Sequence, residues 1–293
     1  MSQHLVNAIV LGGIYTLFAL GFSLAWGVLR ILNLAYGVVA TLGALMAWQL
    51  TRDRVITIVV LLPLIVLAAG LLNVVVDRLA FRRLRRESDG LELRILLASV
   101  GVVAVLITVA ERMTKLDTYT IRDGVFPNRT IELLGLQVKL LELVIIAISV
   151  FGTAALSYWI RRTRSGRAMR AVAVDPETAS LMGINKERVT ATTMFVSGGL
   201  AGLAGVLIGL RFHVVHAYMG DPLMLIAIAA IIIGGVGSIA GAILGGYLLA
   251  MLETFAVANG YSSYANVIVF ACVILVLVVR PMGIFGTQTV ERQ

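Results

Sequence analysis

Residues 223–279 read LMLIAIAAIIIGGVGSIAGAILGGYLLAMLETFAVANGYSSYANVIVFACVILVLVV, 57 positions in which Glu253 is the one charged side chain. At about 1.5 Å rise per residue this block makes roughly 85 Å of helix, too much for one pass of a roughly 30 Å hydrocarbon core and enough for three short ones. Six more charge-free runs precede it, at residues 5–29, 31–51, 55–76, 95–110, 143–160 and 189–210. The chain of 293 residues is accordingly 59% hydrophobic and 14% charged, with mean hydropathy +0.97. Soluble domains carry about a quarter charged residues, so a soluble enzyme is excluded. The expected fold is all-α: a single polytopic transmembrane helical bundle over residues 1–293, with about nine segments, or eight plus a re-entrant piece. The first run is too long for the apolar core of a cleavable signal peptide and is read as a mature helix.

Orientation follows from Lys and Arg, which are held on the cytoplasmic side. Residues 77–94 carry six of them and residues 161–188 carry seven, whereas the five in residues 111–142 are diluted by five acids. The first two loops are expected in the cytoplasm and the third outside. The N-terminus then lies outside and the Arg280 end inside, as for a multi-pass protein of a bacterial inner membrane. A formal net charge of +8 would suggest nucleic acid in a soluble chain, but these loops account for it. Membrane lipid is the expected partner and nucleic acid is not. In the outer loop, residues 118–121 alternate polar and apolar, Asp123-Gly124 signals a turn, and residues 130–133 and 136–140 read as short strands. Together they predict a small extracytoplasmic hairpin cap.

Small residues recur every four positions at Ser197, Ala201, Gly205 and Gly209, at Gly198 and Gly202, and at Gly237, Gly241 and Gly245. That spacing makes smooth helix faces on which backbones approach closely. Asn33 and Tyr36, with Gly37 beside them, bring polar groups into apolar surroundings. They read either as an interrupted helix beside a translocation path, whose freed backbone groups need protein or water, or as an interfacial turn. Glu253 reads as a structural hydrogen-bonding group in preference to a proton relay. His213 and His216 share a helical spacing without a third ligand near them, and Asp221-Pro222 reads as an N-cap followed by the first helical position. Cys272 is the single cysteine and forms neither an internal disulfide nor a thiolate cluster.

Residues 161–188 hold more order than a tether needs. Arg167 and Arg170 lie on a short basic helix. Asp175 is then a natural N-cap, Pro176 suits the first helical position, Glu177 suits the positive end of the dipole, and Gly183 closes the helix in left-handed geometry. The stretch, with Ala179 and Leu181 inside it, looks like a docking surface for another protein. No GxxxxGK[ST] phosphate loop, HExxH motif or GxSxG elbow is present, so neither nucleotide binding in the P-loop manner nor catalysis has visible machinery.

The chain resembles the membrane permeases of ABC importers for branched-chain amino acids, of the LivH type. The resemblance rests on Gly13-Ile14-Tyr15, Gly27-Val28-Leu29-Arg30-Ile31-Leu32-Asn33 leading into Ala35-Tyr36-Gly37, Gly166-Arg167-Ala168-Met169-Arg170 through Asp175-Pro176-Glu177 to Leu181-Met182-Gly183, Gly234-Gly235-Val236-Gly237-Ser238, and Arg280-Pro281-Met282-Gly283-Ile284-Phe285-Gly286. It implies a non-catalytic permease with a second, LivM-type permease, two ATPase subunits that bind the ATP and Mg, and a periplasmic substrate-binding protein; this chain itself holds no cofactor or metal. Residues 175–183 would be the coupling helix, and Tyr15, Asn33, Tyr36 and Gly37 would flank the path. The chain departs from the family at Tyr36, where a histidine is usual. The resemblance allows branched-chain amino acids, urea, short amides or aromatic acids as substrates. An ion-gradient-driven secondary transporter is the alternative class, with Glu253 as its one intramembrane acid.

Overall fold

The computed structural model describes residues 2–30, 32–53, 56–86, 91–121, 130–133, 136–280 and 283–285. The expected turn at Asp123-Gly124 and the motif residues Ile31, Pro281, Met282 and Gly286 lie outside them. The helices are α1 (Ser2–Leu29), α2 (Tyr36–Arg52), α3 (Ile58–Val76), α4 (Leu91–Thr114), α5 (Leu140–Arg162), α6 (Arg164–Val174), α7 (Pro176–Leu181), α8 (Lys186–Phe212), α9 (Gly220–Gly234), α10 (Ile239–Ala258) and α11 (Ala265–Val279). Strands β1 (Thr130–Leu133) and β2 (Leu136–Lys139) pair antiparallel, Thr130 opposite Lys139. Among the described residues seven helices are long and apolar enough to cross a membrane. The two remaining apolar runs are α2, of 17 residues, and α9, of 15, which at about 1.5 Å per residue span roughly 25 and 22 Å.

The bundle is centred on α1 and α8. Every residue of 10–25 is buried, as is every residue of 201–210, because helices apolar on all sides are stable only where neighbours cover them. Helix α1 packs on α10, α8 and α5, while α8 packs on α3 and α2. Helices α4, α5 and α11 turn exposed Val, Leu and Phe side chains outward. At the end of α3 a π turn over Asp77–Phe81 carries one residue beyond the α repeat, closed by Arg82 N–H donating to the Asp77 carbonyl at 2.8 Å.

The block at 223–279 divides into α9, α10 and α11, and two expectations, one inside it and one just before it, are corrected. Gly237 is not part of a helical Gly237–Gly241–Gly245 face: it has φ +76° in the turn before α10, and a Cβ on Gly27 would lie 2.7 Å from its Cα. Nor is Asp221 an N-cap. Helix α9 already begins at Gly220, because the Thr41 hydroxyl on α2 accepts the Gly220 N–H at 2.9 Å and supplies the cap from another helix.

The other small residues sit at close backbone approaches. A Cβ on Gly205 would collide with the Ala40 carbonyl of α2, one on Gly198 with Asn73 and the Ala69 carbonyl of α3, and one on Gly202 with the Ala69 side chain. Gly241 meets Gly234 and Gly245 meets Ala230, both across the α9–α10 contact.

Candidate functional site

Helix α1 stops at Leu29 and Arg30 takes φ +52°, so the chain reverses there and climbs back beside α1. When α2 starts at Tyr36 it is already level with the middle of α1. The Tyr36 hydroxyl donates to the Phe18 carbonyl at 3.0 Å, its ring lies 4.6 Å from that of Phe18 and 5.5 Å from that of Phe22, and a Cβ on Gly21 would strike its oxygen. Phe18 and Gly21 are about 16 and 12 Å of helix above Leu29. The connection is held by polar groups: the Asn33 side chain accepts the Ala35 N–H at 3.1 Å, and Ser99 on α4 accepts the Leu34 N–H at 3.3 Å.

From the other direction, Phe212 ends α8, His213 takes φ +54°, and Val215 pairs with Tyr119 through two backbone bonds of 2.7 and 2.9 Å. The chain then dips to begin α9 at Gly220 against α2. A Cβ on Gly37 would lie 2.9 Å from the Gly220 carbonyl oxygen and 3.1 Å from Met224 Cβ. Two short helices therefore start side by side in the interior, one from each direction. Non-helical backbone at that depth persists only where protein or a cavity covers it. Asn33, Tyr36 and Gly37 are brought together here, all buried. Tyr15 is placed elsewhere: its hydroxyl donates to Glu253 Oε2 of α10 at 2.7 Å.

The basic loop forms α6 and α7 as its local signals specify. Thr163 caps α6 by accepting the Gly166 N–H at 3.1 Å. Asp175 Oδ1 accepts the N–H groups of Glu177 and Thr178 at 2.8 and 3.1 Å, and its Oδ2 accepts the Thr178 hydroxyl at 2.5 Å. The Thr178 hydroxyl above all, then these amides, hold the Asp175 carboxyl below the usual carboxylate range. Gly183 has φ +83° and ends α7, and Asn185 caps α8 by accepting the Arg188 N–H at 3.0 Å. Arg167 is exposed, whereas Arg170 donates to the Ile160 and Arg161 carbonyls and secures the end of α5. Ala179 is turned inward, 4% exposed, and Leu181 outward, 86% exposed, with Met182 beside it. Ala179 is thus a packing residue, and the outward surface of α7 is made by its neighbours.

Sequence reading missed the ion pairs that join separate segments. Arg82 meets Glu187 at 2.5 Å, Arg85 grips Asp77 at 2.5 and 2.8 Å, and Arg211 lies 3.4 Å from Glu142. Arg82 and Glu187 lie 105 positions apart, and even Asp77 and Arg85, 8 apart, fall outside the three- or four-residue spacing that signals a pair on a helix. Among the described residues no group of three or more His, Cys, Asp or Glu is arranged to hold a metal.

Residues 4–278 match the family described as branched-chain amino acid transport system / permease component. The high-affinity branched-chain amino acid transport system permease protein LivH of Escherichia coli (strain K12) is 31% identical over 99% of this chain and 97% of its own. BraD of Pseudomonas aeruginosa, named as a permease protein of the same kind of system, is 31% identical over the same shares. A probable LivH of Methanocaldococcus jannaschii is 28% identical over 97% of this chain and 92% of its own. No solved structure matches the chain.

Proposed function

The chain belongs to the permease component family of branched-chain amino acid transport systems, and on that premise we propose that it forms half of the membrane path of an ATP-driven importer of branched-chain amino acids. It is a non-catalytic membrane subunit. In this reading it pairs with a second, LivM-type permease, receives substrate from a periplasmic binding protein, and is driven by two ATPase subunits that hold the ATP and Mg. The nine helices α1–α5 and α8–α11 cross or enter the bilayer, with the N-terminus outside, β1–β2 as the outer cap, and α6–α7 and the Arg280 end in the cytoplasm. Tyr15, Asn33, Tyr36 and Gly37 shape the path by fixing how α1 packs on α2 and α10.

The observation that carries the coupling role is α7: a helix of six residues, capped at both ends, stands outside the bundle with Leu181 and Met182 exposed. Apolar side chains so placed are covered by a partner in an assembled complex. The test is a cysteine at Leu181 in a Cys272→Ser background. It should crosslink to an ATPase subunit, and Gly183→Val, at a cost of roughly 1 to 2 kcal/mol for a left-handed branched residue, should lower uptake and abolish stimulation of ATP hydrolysis by loaded binding protein. Absence of the crosslink together with wild-type coupling in Gly183→Val would overturn the assignment.

A further inference from the structure

The end of the bundle that bears α6 and α7 also carries a cleft of about 360 Å³ between the end of α3 and the start of α8. Arg78, Arg82, Arg85 and Arg188 line it together with Asp77 and Glu187. Both acids are already engaged inside it. Asp77 holds Arg85 through both carboxylate oxygens, and Glu187 holds Arg82. Among the described residues Arg78 and Arg188 have no anionic partner, and both are exposed. Among the described lining residues four arginines stand against two carboxylates, two positive charges in excess.

A second feature leads into it. Leu64, Leu67, Leu71, Val75 and Leu79 are all exposed and follow one another at steps of three or four, so they form one apolar stripe along α3 and its π turn. Arg78 and Arg82 continue that stripe beyond the apolar residues. An apolar track of roughly 22 Å that ends at the exposed Arg78 guanidinium and the Arg82–Glu187 pair matches one kind of molecule, with acyl chains at one end and a phosphate at the other. Guanidinium groups bind phosphate through paired N–H donors, and basic recesses between helices at the inner surface collect anionic lipid.

We infer that this cleft binds the phosphate headgroup of an anionic phospholipid whose acyl chains lie along Leu71, Val75 and Leu79. The inference rests on the placement of this end at the inner face of the membrane proposed above. Bound there, the lipid would bridge α3 and the first turn of α8, next to α7.

The test uses the whole transporter complex, purified in mild detergent and titrated with phosphatidylglycerol or with phosphatidylcholine of the same chains while native mass spectra are recorded. Wild type should retain one phosphatidylglycerol per copy of this chain with a preference of about tenfold or more over phosphatidylcholine. Arg78→Gln with Arg188→Gln should erase the preference; Arg188→Gln alone, a smaller change at an exposed position, should reduce it. Arg162→Gln with Arg164→Gln removes the same charge at exposed positions outside the cleft and should leave it intact. Equal loss in the two double variants would reduce the effect to diffuse attraction and overturn the site. Competition by glycerophosphoglycerol or inorganic phosphate as strong as by the lipid would make it a soluble-anion site instead. A preference that appears only after the ATPase subunits are stripped away would make the cleft a protein-docking surface. Retention is read in detergent, where sidedness plays no part, so a failure here is separable from a failure of the proposed orientation.

Discussion

The Tyr36 hydroxyl and the Phe18 carbonyl oxygen stand 3.0 Å apart in a buried hydrogen bond that ties the first turn of α2 to the middle of α1. Tyr36→Phe removes that bond and almost no volume, and a polar interaction inside a membrane bundle is worth about 0.6 kcal/mol on average. Its complex should assemble and melt close to wild type. Tyr36→Ala empties a site enclosed by Phe18, Phe22 and Gly21, at a cost of about 3 to 5 kcal/mol, and should fail to accumulate. Thermal unfolding and yield of the purified complex read both; equal behaviour of the two variants would show that Tyr36 does not brace the helices.

Glu253 should behave as a structural acceptor for Tyr15. In that case Tyr15→Phe and Glu253→Ala destabilise the complex by similar amounts and the double variant by little more than either, since both remove one shared interaction. Glu253→Gln, which keeps an acceptor, should transport normally. Loss of uptake in Glu253→Gln with unchanged stability would instead give the carboxylate a role in transport.

Orientation is open to thiol labelling. In the Cys272→Ser background, a membrane-impermeant maleimide applied to intact cells should label cysteines at the exposed positions Leu116 and Tyr218 and spare one at Ser165, also exposed. The opposite pattern would invert the bundle and return the basic loops to the outside, against the Lys and Arg distribution.

Two glycine substitutions should differ sharply. Gly205→Ala drives a methyl into the Ala40 backbone carbonyl, which cannot rotate away, and should weaken the α2–α8 contact enough to lower the melting temperature. Gly101→Ala on α4 meets nothing within 4 Å and should be neutral or stabilising, by about 0.5 to 1 kcal/mol from helix preference. Comparable loss in both would mean that close backbone approach is not what Gly205 provides.

Acid should loosen α7. The Asp175 carboxyl is held below its ordinary range by Thr178 and the first amides of the helix, so its contribution is complete above the ordinary carboxylate value and disappears as pH falls through the lowered one. Hydrogen exchange at the Thr178 amide, corrected for intrinsic rates, should therefore lose protection at acid pH. Asp175→Asn caps without titrating and should remove that dependence; its persistence in the variant would assign it to another group.

What could be read in the sequence was whatever is encoded within a few residues. The apolar runs gave the order of the helices, and α7 with its Asp175 cap and Gly183 stop follows from signals inside nine positions. The break between Arg30 and Tyr36 was visible as misplaced polarity, but not that it leads back to Phe18, since that depends on contacts between α1 and α2. The Thr41 cap on α9 lies 179 positions away from Gly220, so Asp221-Pro222 looked like the start of the helix when the start was already made. Gly237 kept the four-residue step of its neighbours while serving a turn. Ala179 and Leu181 differ in exposure only because α6 and α8 occupy one side of α7.

The π turn at Asp77–Phe81 amounts to an α-helix that has accepted one inserted residue. Deleting a single residue there would let the bond pattern close to the ordinary repeat, so that the Arg82 N–H reaches back four positions instead of five and everything beyond it keeps nearly its present phase relative to α3. Arg82 and Arg85 would stay facing Glu187 and Asp77, and α3 itself would stay whole. A one-residue length change at this position is thus absorbed where it occurs: it would leave both the membrane helix and what its inner end touches in place.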